Sequence, residues 1–309
     1  MEKLEGQKIL VTGPAGQIAL PLASRLAQDN EVWGIARFSE AGSRESVEAA
    51  GITTRRVDLA DPDWADLPED FDYILHLAAV IVPGDDYDSS MKINAQGTGH
   101  LMSRFRKARA CLVMSSCAVY ASPESGEHAV KETDALGGSH QPYAPTYCVS
   151  KIAQEAVTKF AAQEFGLPTV LARMNVAYGD NGGLPAMLLD GMRAGFPVAV
   201  LPDRPSLCSP IHEDDIFEQT PRLLAAASVP TTITNWGGDE VVEIRDLARH
   251  LADLTGLDPE IVESQEGIHH YLLDPNRRRS LAGECRVPWK EGVRRMIAAK
   301  YPDLHRDQA

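Results

Sequence analysis

Tyr147 and Lys151 stand four residues apart in Tyr147-Cys148-Val149-Ser150-Lys151, a spacing that puts a phenol and an ammonium on one face of a helix. An ammonium beside a phenol favours the phenolate, pulling its pKa down from about 10 toward the range where tyrosine exchanges protons near neutrality. Upstream, Met114-Ser115-Ser116-Cys117-Ala118-Val119-Tyr120 closes an apolar run, and Ser116 there offers a hydroxyl that could hold a substrate oxygen. A third group lies near the N-terminus, where Lys8-Ile9-Leu10-Val11-Thr12 runs into Gly13-Pro14-Ala15-Gly16-Gln17-Ile18-Ala19. Gly13 and Gly16 let backbone approach a pyrophosphate, whose charge is met by N–H groups and the positive end of the helix dipole. Ala19, in the third small position, still permits close packing of helix on strand. A lone Gly-x-x-Gly or Tyr-x-x-x-Lys is weak. The glycine turn gains weight from its place between a first strand and an amphipathic helix.

The elements that must position these groups can be read from periodicity. Short apolar, β-branched runs occur at Lys8–Thr12, Glu31–Ala36, Thr53–Val57, Tyr73–Leu77, Cys111–Ser115 and Thr169–Arg173. Helical patterns lie between them, including about Ser89 to Lys107 and about Tyr147 to Glu164. Turn chemistry marks the breaks, as in Asp61-Pro62-Asp63, Pro83-Gly84-Asp85 and Gly166-Leu167-Pro168. Such alternation predicts an α/β fold, a doubly wound parallel sheet of Rossmann type. Residues 1–174 are expected to form the dinucleotide-binding domain and 175–309 mainly a smaller C-terminal substrate lobe. About 205–236 should return to the sheet through Ile233-Thr234-Asn235-Trp236. The polar tail Tyr301 to Ala309 is expected to fray.

Composition narrows the classes of function. Thirty basic against 44 acidic side chains leave a formal charge of −14, which repels phosphate backbones and argues against nucleic-acid binding. No apolar run approaches the roughly 18 residues of a membrane span, and Met1 to Gly6 is no signal peptide, so a soluble, cytoplasmic protein is expected. Five cysteines, Cys111, Cys117, Cys148, Cys208 and Cys285, form no Cys-x-x-Cys pair and predict free thiols rather than a disulfide framework or zinc site. Cys117 and Cys148 adjoin Ser116 and Tyr147 but should point elsewhere and pack. No metal is expected: His212 before Glu213-Asp214-Asp215 reads as structural, and His269-His270 as a solvated surface. Arg277-Arg278-Arg279 reads equally well as an anion clamp or as a solvated basic turn.

Taken together, these motifs closely resemble the extended short-chain dehydrogenase/reductase family, the branch of NAD-dependent epimerases, dehydratases and reductases. The resemblance runs over nearly the whole chain. It also takes in Asp58-Leu59, His76-Leu77-Ala78-Ala79, Asn94 in Ile93-Asn94-Ala95-Gln96-Gly97-Thr98, Arg173 to Tyr178-Gly179, and Ile211-His212-Glu213-Asp214-Asp215. It implies hydride chemistry at a nicotinamide, with Tyr147 as acid/base, Lys151 lowering its pKa and binding the nicotinamide ribose, and Ser116 orienting the reacting oxygen. Asn94 would support the proton-relay region. The cofactor would lie on Gly13, Ala15, Gly16, Gln17, Ile18, Arg37, Asp58, Leu59, Leu77, Ala78 and Ala79, with Asn94, Tyr147 and Lys151 at its reactive end. Relatives also imply a homodimer built on the helices at about 89–107 and 147–164.

NAD-selective relatives usually end the second strand with Asp or Glu, whereas Gly34-Ile35-Ala36-Arg37-Phe38-Ser39 places Arg37 there. NADP is therefore expected over NAD, although Glu40 could reach back. The function expected first is an NAD(P)-dependent oxidoreductase acting on a carbonyl or secondary alcohol of a small organic substrate. The alternative is a nucleotide-sugar epimerase with transient hydride transfer, and a cofactor-binding sensor without catalysis is the third reading. Dehydratase chemistry is disfavoured, because Cys117 and Ala118 occupy the positions of the Asp-Glu pair that follows the catalytic hydroxyl residue in 4,6-dehydratases. Two departures argue against a nucleotide sugar. Cys208 and Leu207 stand where the epimerases carry a diphosphate-binding Arg, and Val176 stands where they carry an Asn, with Asn175 one position early. Arg204 or the Arg277–Arg279 cluster could compensate.

Overall fold

A computed structural model describes residues 3–81, 84, 86–123, 125, 127–137, 144–265, 267 and 271–304. Six strands arise from the apolar runs: β1 (Lys8–Thr12), β2 (Glu31–Ala36), β3 (Thr53–Arg56), β4 (Tyr73–His76), β5 (Ala110–Ser116) and β6 (Thr169–Met174). A seventh, Thr232–Trp236, pairs in parallel with β6. The order is Thr232–Trp236, β6, β5, β4, β1, β2, β3, and every neighbouring pair is parallel.

Because side chains alternate along a strand, the central strands feed two cores. Ile9, Val11, Leu75, Leu112 and Met114 face Leu22, Ala23 and Leu26 of the helix Ala19–Leu26, and Leu223 and Leu224 of the helix Glu213–Ala225. Leu10, Ile74, Cys111 and Val113 face Leu101, Met102, Ala161 and Ala162, which lie on the helices Gly97–Arg104 and Pro145–Phe165. Burial on both faces is why these strands read as continuous apolar runs rather than as alternating ones.

The order reverses between β1, which leads outward to β2, and β4, which leads to β5. At such a switch point the loops at the strands' carboxyl ends diverge and leave a crevice. The helix expected from about Ser89 to Lys107 is not uniform. It is helical over Tyr87–Met91, widens into one π turn at Lys92–Gln96, and resumes at Gly97–Arg104. Gly97 is required by contact: a Cβ there would lie 2.9 Å from the Leu59 carbonyl oxygen.

Beyond β6 a further hydrophobic cluster forms around Leu189, Val200, Leu247, Leu251 and Met296. It is assembled from the helices Leu184–Arg193, Ile244–Thr255 and Trp289–Lys300. No described helix is long and apolar enough to cross a membrane.

Candidate active site

The crevice at the switch point is lined by Gly13, Ala15 and Gly16 from the first turn, Arg37 after β2, Asp58 and Leu59 after β3, and Leu77, Ala78 and Ala79 after β4. Sequence reasoning missed Phe38, Ser43, Val80 and Ile93, which share this lining. Nothing in the local pattern distinguishes them from ordinary loop and helix residues. Gln17 and Ile18 are not part of this wall. The Gln17 carbonyl accepts from Asn181 Nδ2 at 3.0 Å, and Ile18 precedes the helix Ala19–Leu26 and packs on the core.

Gly13 has φ +65°, and a Cβ on it would lie 3.1 Å from Ala78 Cα, so a side chain is excluded by conformation and by contact. The helix Ala19–Leu26 opens beside it, its Leu20 N–H on the Gly16 carbonyl at 2.9 Å and Pro21 contributing no N–H, so the positive end of the helix dipole faces the glycine turn. Thr12 ties the two halves of the crevice together, its Oγ1 accepting from the Leu77 and Ala78 N–H groups at 3.1 and 2.9 Å.

The Tyr147–Lys151 pair lies on the helix Pro145–Phe165, which begins with Pro at its first position, where a missing N–H costs nothing. Lys151 Nζ sits 5.9 Å from the Tyr147 ring centroid and donates to the Met114 carbonyl of β5 at 2.9 Å and to Gln154 Oε1 at 2.8 Å. Lys151 is 2% exposed. Burial pushes its pKa down to about 7, with Glu155 opposing. Two residues beyond Met114, Ser116 ends β5 and caps a short 3-10 turn, its Oγ accepting from the Ala118 N–H at 3.2 Å. Asn94 sits inside the π turn, fully used: its Oδ1 accepts from the Val80 N–H, and its Nδ2 donates to the Val80 carbonyl and Ser150 Oγ. Ser150 Oγ in turn donates to the Tyr147 carbonyl. Asn94 therefore braces the loop after β4 against the first turns of the Tyr147 helix.

One turn beyond Lys151, Glu155 is buried against Arg173 and Ser115. The thiols play no such part. Cys117 is buried, and burial pushes its pKa up to about 12; Cys148 is buried as well. His212 caps the helix Glu213–Ala225 by accepting from the Asp214 N–H. His269 and His270 lie outside the described residues.

The arginine cluster is solvated only in part: Arg277 is exposed, Arg278 and Arg279 are drawn inward, and none of the three lines the crevice. Arg278 is 1% exposed and pairs with Asp239, as does Arg279, and Arg277 donates to the Ile233 carbonyl. Cys208 is buried with its thiol on the Val242 carbonyl. Asn175 does turn away into the scaffold, donating to the Tyr271 carbonyl and accepting from the Ser209 N–H.

Residues 9–228 match the family model described as the NAD dependent epimerase/dehydratase family. The chain belongs to that family. A trifunctional UDP-glucose 4,6-dehydratase/UDP-4-keto-6-deoxy-D-glucose 3,5-epimerase/UDP-4-keto-L-rhamnose-reductase of Arabidopsis thaliana is 24% identical over 324 residues, covering 96% of this family member and 48% of that protein. An uncharacterized UDP-glucose epimerase of Bacillus subtilis is 30% identical over 185 residues, 56% of this chain and 57% of that one. The chain thus spans about half the length of the curated relatives it matches. Among solved structures, UDP-glucuronic acid 4-epimerase from Bacillus cereus, in complex with UDP-glucuronic acid and NAD, superposes with TM-score 0.81 at 23% identity, covering 96% of this chain and 99% of that one. A UDP-N-acetylglucosamine 4-epimerase from Methanobrevibacter ruminantium gives 0.83 at 19%, covering 97% and 100%. As an epimerase/dehydratase family member the chain shares their Rossmann architecture. The oxidoreductase expected first, acting on a carbonyl or secondary alcohol of a small organic substrate, is less well supported than the nucleotide-sugar alternative, because the relatives' names specify UDP- or GDP-sugars.

Proposed function

We propose that this chain is a nucleotide-sugar epimerase that inverts a sugar carbon bearing a secondary hydroxyl, with a dinucleotide held in the crevice at the switch point. The observation that carries this reading is the Tyr147–Lys151 pair on one helix face, with the ammonium fixed to the end of β5, in a chain of the epimerase/dehydratase family. Tyr147 takes the proton of the sugar hydroxyl and returns it when the carbonyl is reduced from the other face. Lys151 favours the phenolate that this requires, and Ser116 holds the reacting oxygen. The bound nicotinamide supplies the hydride acceptor and donor. Gly13, Ala15, Gly16, Asp58, Leu59, Leu77, Ala78 and Ala79 hold the cofactor, Lys151 meets its ribose, and Asn94 keeps the loop after β4 in place. Elimination of water has no acid–base pair here, since Cys117 and Ala118 are buried and apolar.

The missing diphosphate arginine at Cys208 is a departure that this reading must meet. Arg204 is the half-buried candidate for that charge, anchored by its Nη1 to the Pro123 carbonyl in the segment that follows Ser116. In the crevice, Arg37 is exposed and no carboxylate ends β2, which supports NADP in preference to NAD. Val149 and Phe160 of the Tyr147 helix are 39% and 64% exposed, an apolar stripe that supports a homodimer through this helix. Sedimentation of a Phe160→Glu variant as a monomer, against a wild-type dimer, checks it.

The test of function is incubation with UDP-, GDP- and dTDP-sugars, following both the sugar nucleotide by chromatography and the nicotinamide by absorbance. A second epimer with no net change in nicotinamide absorbance is the expected result. Steady net oxidation or reduction of the cofactor without an epimer restores the simple oxidoreductase.

A further inference from the structure

Lys151 is held by more than the helix that carries it. Its ammonium has three N–H donors, of which two are accounted for among the described residues, on the Met114 carbonyl and on Gln154 Oε1. An ammonium only donates, so the Gln154 atom facing it is the oxygen, and its Nε2 faces the opposite way. There it donates to Thr98 Oγ1 at 3.0 Å. Thr98 Oγ1 gives its own proton to the Asn94 carbonyl at 2.7 Å, so it can only accept from His76 Nε2, also at 2.7 Å. His76 is therefore the Nε2–H tautomer, assigned from the network. Its Nδ1 accepts from Thr12 Oγ1 at 2.8 Å, in agreement with Thr12 Oγ1 already accepting from two backbone N–H groups. Every proton in the chain from Lys151 to the glycine turn has one direction. Thr12, His76, Thr98 and Gln154 are all at most 1% exposed.

We propose that Gln154 is the positioning residue of the site: its side-chain carbonyl fixes the Lys151 ammonium beneath Tyr147, and its amide fixes that carbonyl to Thr98, which His76 holds from the other side. This inference rests on the reading that Lys151 serves Tyr147. A buried amide is suited to the task because it supplies an acceptor without a charge. The charged groups around it are each committed: Glu155 on the same helix to Arg173 of β6 and Ser115 of β5, with Lys159 one turn further along. His76 of β4 is neutral, burial and then the Lys151 charge pushing it down to about 3. Lys151 itself, pushed by burial to about 7, lies where the loss or gain of one partner changes its charge at working pH. Its third N–H remains for the Tyr147 side or the cofactor ribose.

The experiment reads Lys151 directly, by NMR titration of ε-carbon-labelled lysine, assigned with a Lys151→Met control. Two variants of nearly unchanged volume carry opposite signs. Gln154→Met removes the acceptor, so the Lys151 titration should move down by roughly one pH unit or more; Gln154→Glu keeps the oxygen and adds charge, so it should move up by at least as much. Turnover should fall in both, by about 10-fold or more in kcat with KM changed little, since fixed geometry at the reacting centre is lost rather than substrate contacts. A merely structural glutamine would lower the melting temperature of both variants yet leave the Lys151 titration where it stands in the wild type, and that outcome overturns the proposal. The titration needs no substrate. A Tyr147→Phe enzyme with normal turnover would remove the functional reading while leaving the Gln154 titrations as predicted.

Discussion

Glu155 and Arg173 form a bidentate ion pair in the interior, Nε to Oε1 and Nη2 to Oε2, each at 2.8 Å, with side chains 1% and 2% exposed. The pair locks the Tyr147 helix to β6 one turn past Lys151. Ser115 Oγ adds a third contact to the same carboxylate, and the Arg173 guanidinium lies over the Tyr120 ring, 4.7 Å from its centroid. Desolvation makes such a pair a poor source of net stability but makes either half, left alone, very costly.

Glu155→Ala should therefore destabilise the fold by roughly 3–5 kcal/mol, most of it the cost of an uncompensated guanidinium. Denaturant unfolding, compared through the midpoint at constant m-value, measures this. Loss of less than about 1 kcal/mol would place the pair in the range of an exposed salt bridge and contradict its burial.

Catalysis separates along the Tyr147 helix. Tyr147→Phe removes the proton carrier but leaves the crevice intact, so turnover should fall by about 10²–10⁴-fold with cofactor affinity little changed. Lys151→Ala should lower both turnover and cofactor affinity, because in the proposed reading the ammonium serves the phenol and the ribose. Equal loss of cofactor affinity in the two variants, measured by calorimetry, would contradict this division of labour.

The neutral His76 gives stability a pH dependence with a definite sign. Its pKa is about 3 in the folded chain against about 6.5 unfolded. Between those values the unfolded chain binds a proton that the folded one does not, so stability is complete above about 6.5 and falls as pH drops toward 3. The His76 linkage alone should remove about 2 kcal/mol between pH 7.5 and pH 5. Denaturation midpoints at those two pH values, compared between wild type and His76→Gln, test it: the variant should show a flatter dependence. Equal slopes would mean that His76 is not held neutral.

Much of this arrangement was legible before any coordinates. The bounds of β1 and β2 match the apolar runs residue for residue, because β-branched residues between turn signals have few other options. Tyr147, Lys151 and Ser116 stood out by type and spacing, and the structure puts the first two on one helix and Ser116 at the end of β5. What stayed hidden is what depends on distant partners. Gln154 meets Thr98 across 56 positions, and its place three residues after Lys151 was the one available hint. Arg278, read equally as part of an anion clamp or of a solvated turn, is instead drawn into the interior by Asp239, 39 positions away. The π turn around Asn94 is equally silent in sequence, since five residues are too few to show a change of period.

In the proposed reading the choice of cofactor turns on Arg37. It stands just past β2, exposed, on the same crevice wall as Ser39, Glu40 and Ser43. An adenosine ribose carrying a 2′-phosphate gains a charge-assisted contact from a guanidinium, whereas a plain ribose gains more from a carboxylate accepting its hydroxyls. Glu40 is the group that could reverse this preference, and the two side chains should act in opposite senses. Arg37→Ala should weaken NADPH binding by about 10-fold or more, the worth of one charged hydrogen bond, while NADH binding changes by less than about 2-fold. Glu40→Gln should leave NADPH unaffected or improve it. Fluorescence titration of the reduced cofactors measures all four constants. NADH binding more tightly than NADPH in the wild type, with no response to Arg37→Ala, would assign the crevice to NAD and leave Arg37 as a solvated surface residue.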